Sequence, residues 1–367
     1  MNAAHDFVPS RQAGMTLVEL LVALVLALVL TAGMIQVFTG NRVTYEFNQG
    51  LSRIQENARF ALDHIAYNAR MAGYRGCIAN VAVHNNLDAP SPFRDGIENG
   101  IQGYDYLNTG DGDSFNAVAN PVPSTTLTNW SPNLPAELGG LVLPGSDVLV
   151  VRSLAGASRP LVSPFDDGSQ LFVETPHGFL AGEILVATDC QKASIFQVTG
   201  IDAGGTNVVH ADTGGFVPGN NFSDWPPEQE YGLGAELSRL QTFAFYVGRG
   251  ANGQPALFQL RLARQSATST GFQAEELVPG IESLQVRYGI DTDGDQAIND
   301  WVHADAVADW GRVISVEINL LARATEEYGT EVDDADYVLG TMTFNPVDDR
   351  RLRQVFSTTV GVRNRLP

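Results

Sequence analysis

Arg11-Gln12-Ala13-Gly14-Met15-Thr16-Leu17-Val18-Glu19 opens directly into an apolar stretch, residues 20–30, and this junction decides how the rest of the chain folds. Between residues 15 and 38 the strongly polar side chains are Glu19 and Gln36 alone. Counted from Leu17, the segment has the roughly 20 residues that a membrane-spanning helix needs. Arg11 lies on its N-terminal side, which places that end in the cytoplasm. A charge at the bilayer centre costs about 2.5–3.5 kcal/mol or more, so Glu19 at the segment's edge calls for a partner.

A secretory signal would end in a small-residue cleavage site. This run instead passes into a second helical pattern: Phe47, Leu51, Ile54, Ala58, Leu62, Ile65 and Ala69, three or four residues apart. That is one apolar stripe of an amphipathic helix, with Arg53, Glu56, Arg59, Asp63 and Arg70 on its other faces. Gly33 and Gly40 each weaken the helix by roughly 1 kcal/mol relative to Ala, and either mark a bend or are simply tolerated in a membrane helix. Gly73 and Gly76 are its expected stops.

A glycine, an apolar residue, Glu19 four positions beyond Met15 and an unbroken hydrophobic helix resemble the processing site of type IV prepilins and pseudopilins. The resemblance implies that a prepilin peptidase cuts after Gly14 and methylates the new N-terminus at Met15, where the family usually has Phe. It also implies that Glu19 pairs with the N-terminal ammonium of a neighbouring subunit, since desolvated charges need such pairing.

Net charge is −20, and the leader's Asp6 and Arg11 cancel. An acidic surface argues against nucleic-acid backbone binding as the main role. The two cysteines, Cys77 and Cys190, both follow the anchor and so face the periplasm, where disulfides persist. A bridge between them would stabilise by about 4–5 kcal/mol in the chain-entropy treatment; two buried free thiols are the alternative.

Residues 81–144 are rich in Asn, Gly, Pro, Ser and Asp and read as loops and short strands. Residues 148–151, 171–174, 184–187 and 196–201 are strand candidates, and 220–230 is a linker or cover loop. From Leu237 the pattern sharpens: 243–247, 257–263, 284–290, 313–321 and 355–362 alternate or run apolar between turn residues. An exported helix cannot leave its stripe wet, so this sheet is expected to pack on it. The fold class is α+β: a long N-terminal transmembrane and amphipathic helix packed on a β-rich, pilin-like periplasmic domain. Its divisions are a leader (1–14), a transmembrane helix segment (15–40), an amphipathic continuation (41–76), a loop-rich β region (77–235) and a pilin-like β-sheet region (236–367).

Gln55-Glu56-Asn57-Ala58-Arg59-Phe60-Ala61-Leu62, Met71-Ala72-Gly73-Tyr74-Arg75-Gly76-Cys77 and Leu277-Val278-Pro279-Gly280-Ile281-Glu282-Ser283-Leu284-Gln285-Val286-Arg287-Tyr288-Gly289 together resemble the PilW family of minor pilins of Gram-negative bacteria. The resemblance covers most of the chain and is loose near residues 85–145 and 202–235. It implies a low-abundance subunit that helps initiate pilus assembly and sits near the fibre tip. Its partners would be other minor pilins, the major pilin, prepilin peptidase, the inner membrane and a tip adhesin. The pili would serve twitching, adhesion or DNA uptake. A larger pseudopilin of type II secretion, and an anchored adhesin or binding module that never polymerises, are the competing functions.

Asp291-Thr292-Asp293-Gly294-Asp295-Gln296-Ala297-Ile298-Asn299-Asp300 is the candidate ligand site. Asp291, Asp293, Asp295 and Asn299 stand at positions one, three, five and nine of a calcium loop, and Asp300 or Asp305 is a substitute for a later acid. Gln296 replaces the expected glycine at position six and Val302 the expected acid at position twelve. A solvated acidic hairpin loop is the equal alternative. Gly248-Arg249-Gly250-Ala251-Asn252-Gly253 matches a dinucleotide fingerprint but has a strand after it, so it reads as a hairpin turn. The six histidines show no zinc spacing, and His64 reads as a surface or interface residue. No nucleophile elbow appears, and nothing in the sequence requires an enzyme.

Overall fold

The apolar run and the striped segment after it form one helix, Leu17–Met71. The computed structural model describes residues 14–76, 82–163, 169–221, 225–328 and 331–365. The helix runs through Gly33 and Gly40, and a Cβ at either would meet open space, so neither glycine marks a break. The chain divides into two compact units, Met1–Gly50 and Leu51–Pro367.

In the first unit the helix is apolar on every side and its large side chains are exposed, from Leu17 and Val18 through Val37 and Phe38. A helix that is hydrophobic all round belongs in lipid or among other helices. The Thr31 hydroxyl donates to Ala27 O at 2.7 Å and that of Thr39 to Ile35 O at 2.9 Å. Both hydroxyls are thus satisfied without water, as a membrane interior demands. The Arg42–Glu46 pair at 2.8 Å, one helical turn apart, marks the return to polar surface.

In the second unit the stripe begins later than expected. Ile54, Ala58, Leu62, Ile65 and Ala69 are buried, whereas Leu51 is half-buried. Phe47, also expected on the stripe, is exposed and falls in the first unit. Ala61, Ala66 and Ala72 join the contact and let the sheet lie close. Each fully buried Ile or Leu contributes about 1.5–3 kcal/mol, enough for this stripe to anchor the domain core. Gly73 ends the helix at a left-handed φ of 72°, a conformation that costs a side-chain-bearing residue energy. Its N–H donates to Arg152 O at 2.8 Å, and Asn364 Nδ2 caps the terminal carbonyls of Met71 and Ala72 at 3.3 and 3.0 Å.

Facing the stripe is a four-stranded antiparallel sheet in the order Asp300–Val302, Ile281–Ile290, Val313–Arg323, Arg353–Gly361. Leu284, Val286, Val316, Ile318, Leu320 and Val360 alternate onto the helix side and share its core. A larger sheet of nine strands is built around the long strand Glu236–Arg249. One edge of that strand pairs with Val148–Pro160. Its other edge is divided, with residues 236–239 bonding Ile184–Thr188 and residues 243–249 bonding Pro255–Arg264. The turn between Arg249 and Pro255 contains Gly253 at φ 78°, so the fingerprint-like glycines form a hairpin turn as expected. Among the described residues, two smaller three-stranded sheets make up the rest of the β-rich region.

The two main sheets meet at Gly145-Ser146-Asp147, just before the strand Val148–Pro160. Asp147 is fully buried; one carboxylate oxygen accepts from Tyr106 N at 3.0 Å and the other from Val286 N at 2.9 Å. Ser146 exchanges hydrogen bonds with the Leu284 backbone at 3.0 and 3.3 Å. Tyr288 lies over Gly103 so closely that a Cβ there would stand 1.9 Å from the phenol oxygen.

Candidate functional site

The described residues begin at Gly14, where a Cβ would meet nothing within 4 Å, and Met15 is 70% exposed. The Gly14–Met15 junction is therefore exposed among the described residues. Thr16 precedes the first helical residue, Leu17, and Glu19 is the third residue of the helix. The two make reciprocal bonds. Thr16 N and its hydroxyl donate to Glu19 Oε2 at 2.9 and 3.0 Å, while Glu19 N donates to Thr16 Oγ1 at 3.3 Å. This is a capping box, in which two otherwise orphaned backbone donors are satisfied by each other's side chains. The Glu19 carboxylate, expected to depend on a neighbouring subunit, thus has an internal partner within its own helix. The sequence reading missed it, although Thr followed three positions later by Glu at the start of an apolar run is its signature.

Beyond the first unit, the helix face meets the sheets through few polar contacts. Asn57 Nδ2 donates to Pro279 O at 3.2 Å, and His64 Nε2 lies 2.7 Å from Gln259 Oε1. His64 stacks on Phe60 and meets Phe245 edge-on, so of the two expected places, surface or interface, it takes the packed interface between helix and sheet. The segment from Leu277 to Leu284 supplies buried Val278, Ile281 and Leu284, which act through packing.

Residues 291–299 form the loop between the strands Ile281–Ile290 and Asp300–Val302. Asp291, Asp293 and Asp295 place carboxylate oxygens within 4.8 Å of one another. Asp291 accepts from Gly294 N at 2.6 Å and Gln296 N at 2.8 Å, and Asp295 accepts from Ala297 N at 2.8 Å. Gln296 takes the left-handed φ of 66° that a glycine normally supplies, so the departure in residue type leaves the sharp turn intact. Asn299 Oδ1 is engaged by Thr292 N at 2.6 Å, and Asp300 accepts from Trp301 N at 2.8 Å. Three aspartates therefore converge, while Asn299 and Asp300 close the loop.

Cys190 occupies the turn between Ile184–Thr188 and Lys192–Gln197, at φ 70°. Its expected partner, Cys77, lies outside the described residues.

One polar cluster was not anticipated. His303 Nδ1 lies 3.4 Å from Asp105, and its Nε2 lies 3.2 Å from Asp111 and 3.3 Å from Thr341 Oγ1. The Asp105 carboxylate holds the His303 pKa above its ordinary value, against the effect of burial. Burial, and then the neighbouring Asp105 charge, push the Asp147 carboxyl well above the usual carboxylate range. A lone Asp before an apolar strand carries no sequence signal of such burial.

The family of type IV pilus-assembly protein W matches residues 244–364, and the prokaryotic N-terminal methylation motif matches residues 9–35. No curated protein and no solved structure matches the chain. The N-terminal match covers the junction, the capping box and the exposed apolar helix, and the C-terminal match covers the sheet that packs on the helix. Over residues 9–35 and 244–364 the chain is therefore similar to PilW-family type IV pilins.

Proposed function

We propose that this protein is a minor pilin that helps initiate type IV pilus assembly and is incorporated near the fibre tip. The observation that carries the reading is the exposed, all-round apolar helix that begins at an open Gly14–Met15 junction with Glu19 beside it. Residues 15–38 would hold the subunit in the inner membrane, with residues 77–367 in the periplasm. After cleavage the same segment would pack among equivalent helices of the major pilin and other minor pilins. Glu19 then exchanges its Thr16 bonds for the N-terminal ammonium of a neighbour, so the carboxylate is satisfied both before and during assembly. The action is subunit packing and not catalysis. The sheet region would present its surface to partner pilins or a tip adhesin.

Deleting the gene should abolish or sharply reduce surface pili by electron microscopy, with recovery on complementation. Normal piliation in the deletion strain would refute the initiating role and favour an anchored adhesin. Loss of secreted proteins with pili intact would instead identify a type II secretion pseudopilin.

A further inference from the structure

The last strand, Arg353–Gly361, is an edge of the four-stranded sheet and pairs with Val313–Arg323 in an uninterrupted antiparallel register. The bonds Val362 N to Ile314 O at 2.9 Å and Ala324 N to Leu352 O at 2.8 Å fix which residues turn their backbone inward. Inward and outward pairs alternate along such a ladder. The N–H and C=O groups of Val355, Ser357, Thr359 and Gly361 therefore point away from the sheet. Natural edges are usually blunted by charge, proline or a bulge. Here Gln354-Val355-Phe356-Ser357-Thr358-Thr359-Val360-Gly361 has none of these, in a chain of net charge −20.

Beside this edge is a polar cavity of about 430 Å³, lined by Gln55, Arg59, Asp63 and Arg70 of the helix and by Ser357 and Thr358 of the strand. Arg59 and Arg70 are exposed and make no ion pair among the described residues. They span roughly 16 Å of helix alongside roughly 20 Å of open strand. With Asp63 between them the groove carries a net positive charge in a strongly acidic protein.

Building on the pilin reading, we propose that an extended, acid-bearing segment of a different pilus subunit adds as a strand to the 355–361 edge. Its backbone would bond to the outward groups of Val355, Ser357 and Thr359, and its acidic side chains would meet Arg59 and Arg70. Strand addition takes affinity from main-chain bonds and specificity from side chains on alternate positions. A second copy of this chain is disfavoured. Two-fold pairing of the same edge would set each copy's arginine groove against its like, and like charge opposes association.

The test is photo-cross-linking of the full chain in its own cells, with a photoreactive side chain at Thr359 and, separately, at Leu24. The expected product from Thr359 is a different protein bearing a prepilin-type N-terminus, cross-linked through an extended segment containing Asp or Glu. Ser357→Pro removes an outward N–H and keeps the backbone bonds to Val313–Arg323, at the loss of the bond that the Ser357 hydroxyl donates to Asn319 Oδ1 at 2.5 Å. It should reduce the product at least roughly tenfold. The double variant Arg59→Glu/Arg70→Glu changes only exposed side chains and should do the same, which decides the matter if the proline variant is degraded. No product, a self-cross-link, a partner that is not a pilus subunit, or a product undiminished in the double variant would overturn the proposal. Cross-links from Leu24 to other pilins, persisting when the Thr359 product is absent, would confine that failure to the edge; their absence would refute the pilin reading as well.

Discussion

Thr16 and Glu19 are the residues on which the anchor turns. Their reciprocal bonds satisfy the first orphaned donors of the helix and keep a carboxylate tolerable beside lipid. Thr16→Val keeps the shape and removes the hydroxyl, and loss of such a cap costs about 1 kcal/mol. Amides of residues 17–20 should then exchange several-fold faster in detergent micelles, with the rest of the helix unchanged. Glu19→Ala should leave the protein membrane-bound and cleaved but lower its recovery in sheared pili; unchanged recovery would remove the pairing account. The three converging aspartates make a second prediction at this scale. Carboxylates held within 4.8 Å repel one another without a cation, and calcium would relieve that. We propose that millimolar calcium raises the melting temperature of the purified protein and that Asp293→Ala abolishes the rise. No change in the unsubstituted protein would make the loop a solvated turn.

Among elements, the helix and the later strands were legible in sequence because each carries its own period. An unbroken apolar run marks the first half of the helix, and the spacing from Ile54 to Ala69 marks the second. What escaped was non-local. Nothing near Asp147 tells that Tyr106 and Val286 will both bond its carboxylate, and nothing near His303 foretells Asp105 and Asp111. Phe47 fits the helical period yet is exposed, because only tertiary contact decides where a periodic stripe is covered. The seam also gives a pH dependence. A His303 pKa raised in the folded state contributes stability fully below the unfolded value near 6.5, and that stability is lost as pH rises through the folded value. Asp147, with a raised pKa, also loses folded-state stability as pH rises. Thermal stability should therefore decline as pH rises above about 6.5, and His303→Gln should flatten that decline. An equal slope in the variant would assign the effect elsewhere.

For the whole molecule, the order of parts is an exposed Gly14–Met15 junction, an apolar helix, then a β-rich acidic region, which is the order the proposed exported subunit needs. The Cys77–Cys190 bridge would tie the helix exit to the nine-stranded sheet, and we propose that it forms in the periplasm. Both thiols should resist labelling in denatured, unreduced protein; labelling at both would exclude the bridge. The central claim is that this chain is processed as a prepilin and enters a fibre through its helix. Mass spectrometry of the protein recovered from sheared pili tests it most directly. The account predicts an N-terminus at Met15 carrying one methyl group. A chain that starts at residue 1, or one cut beyond residue 30, would contradict it.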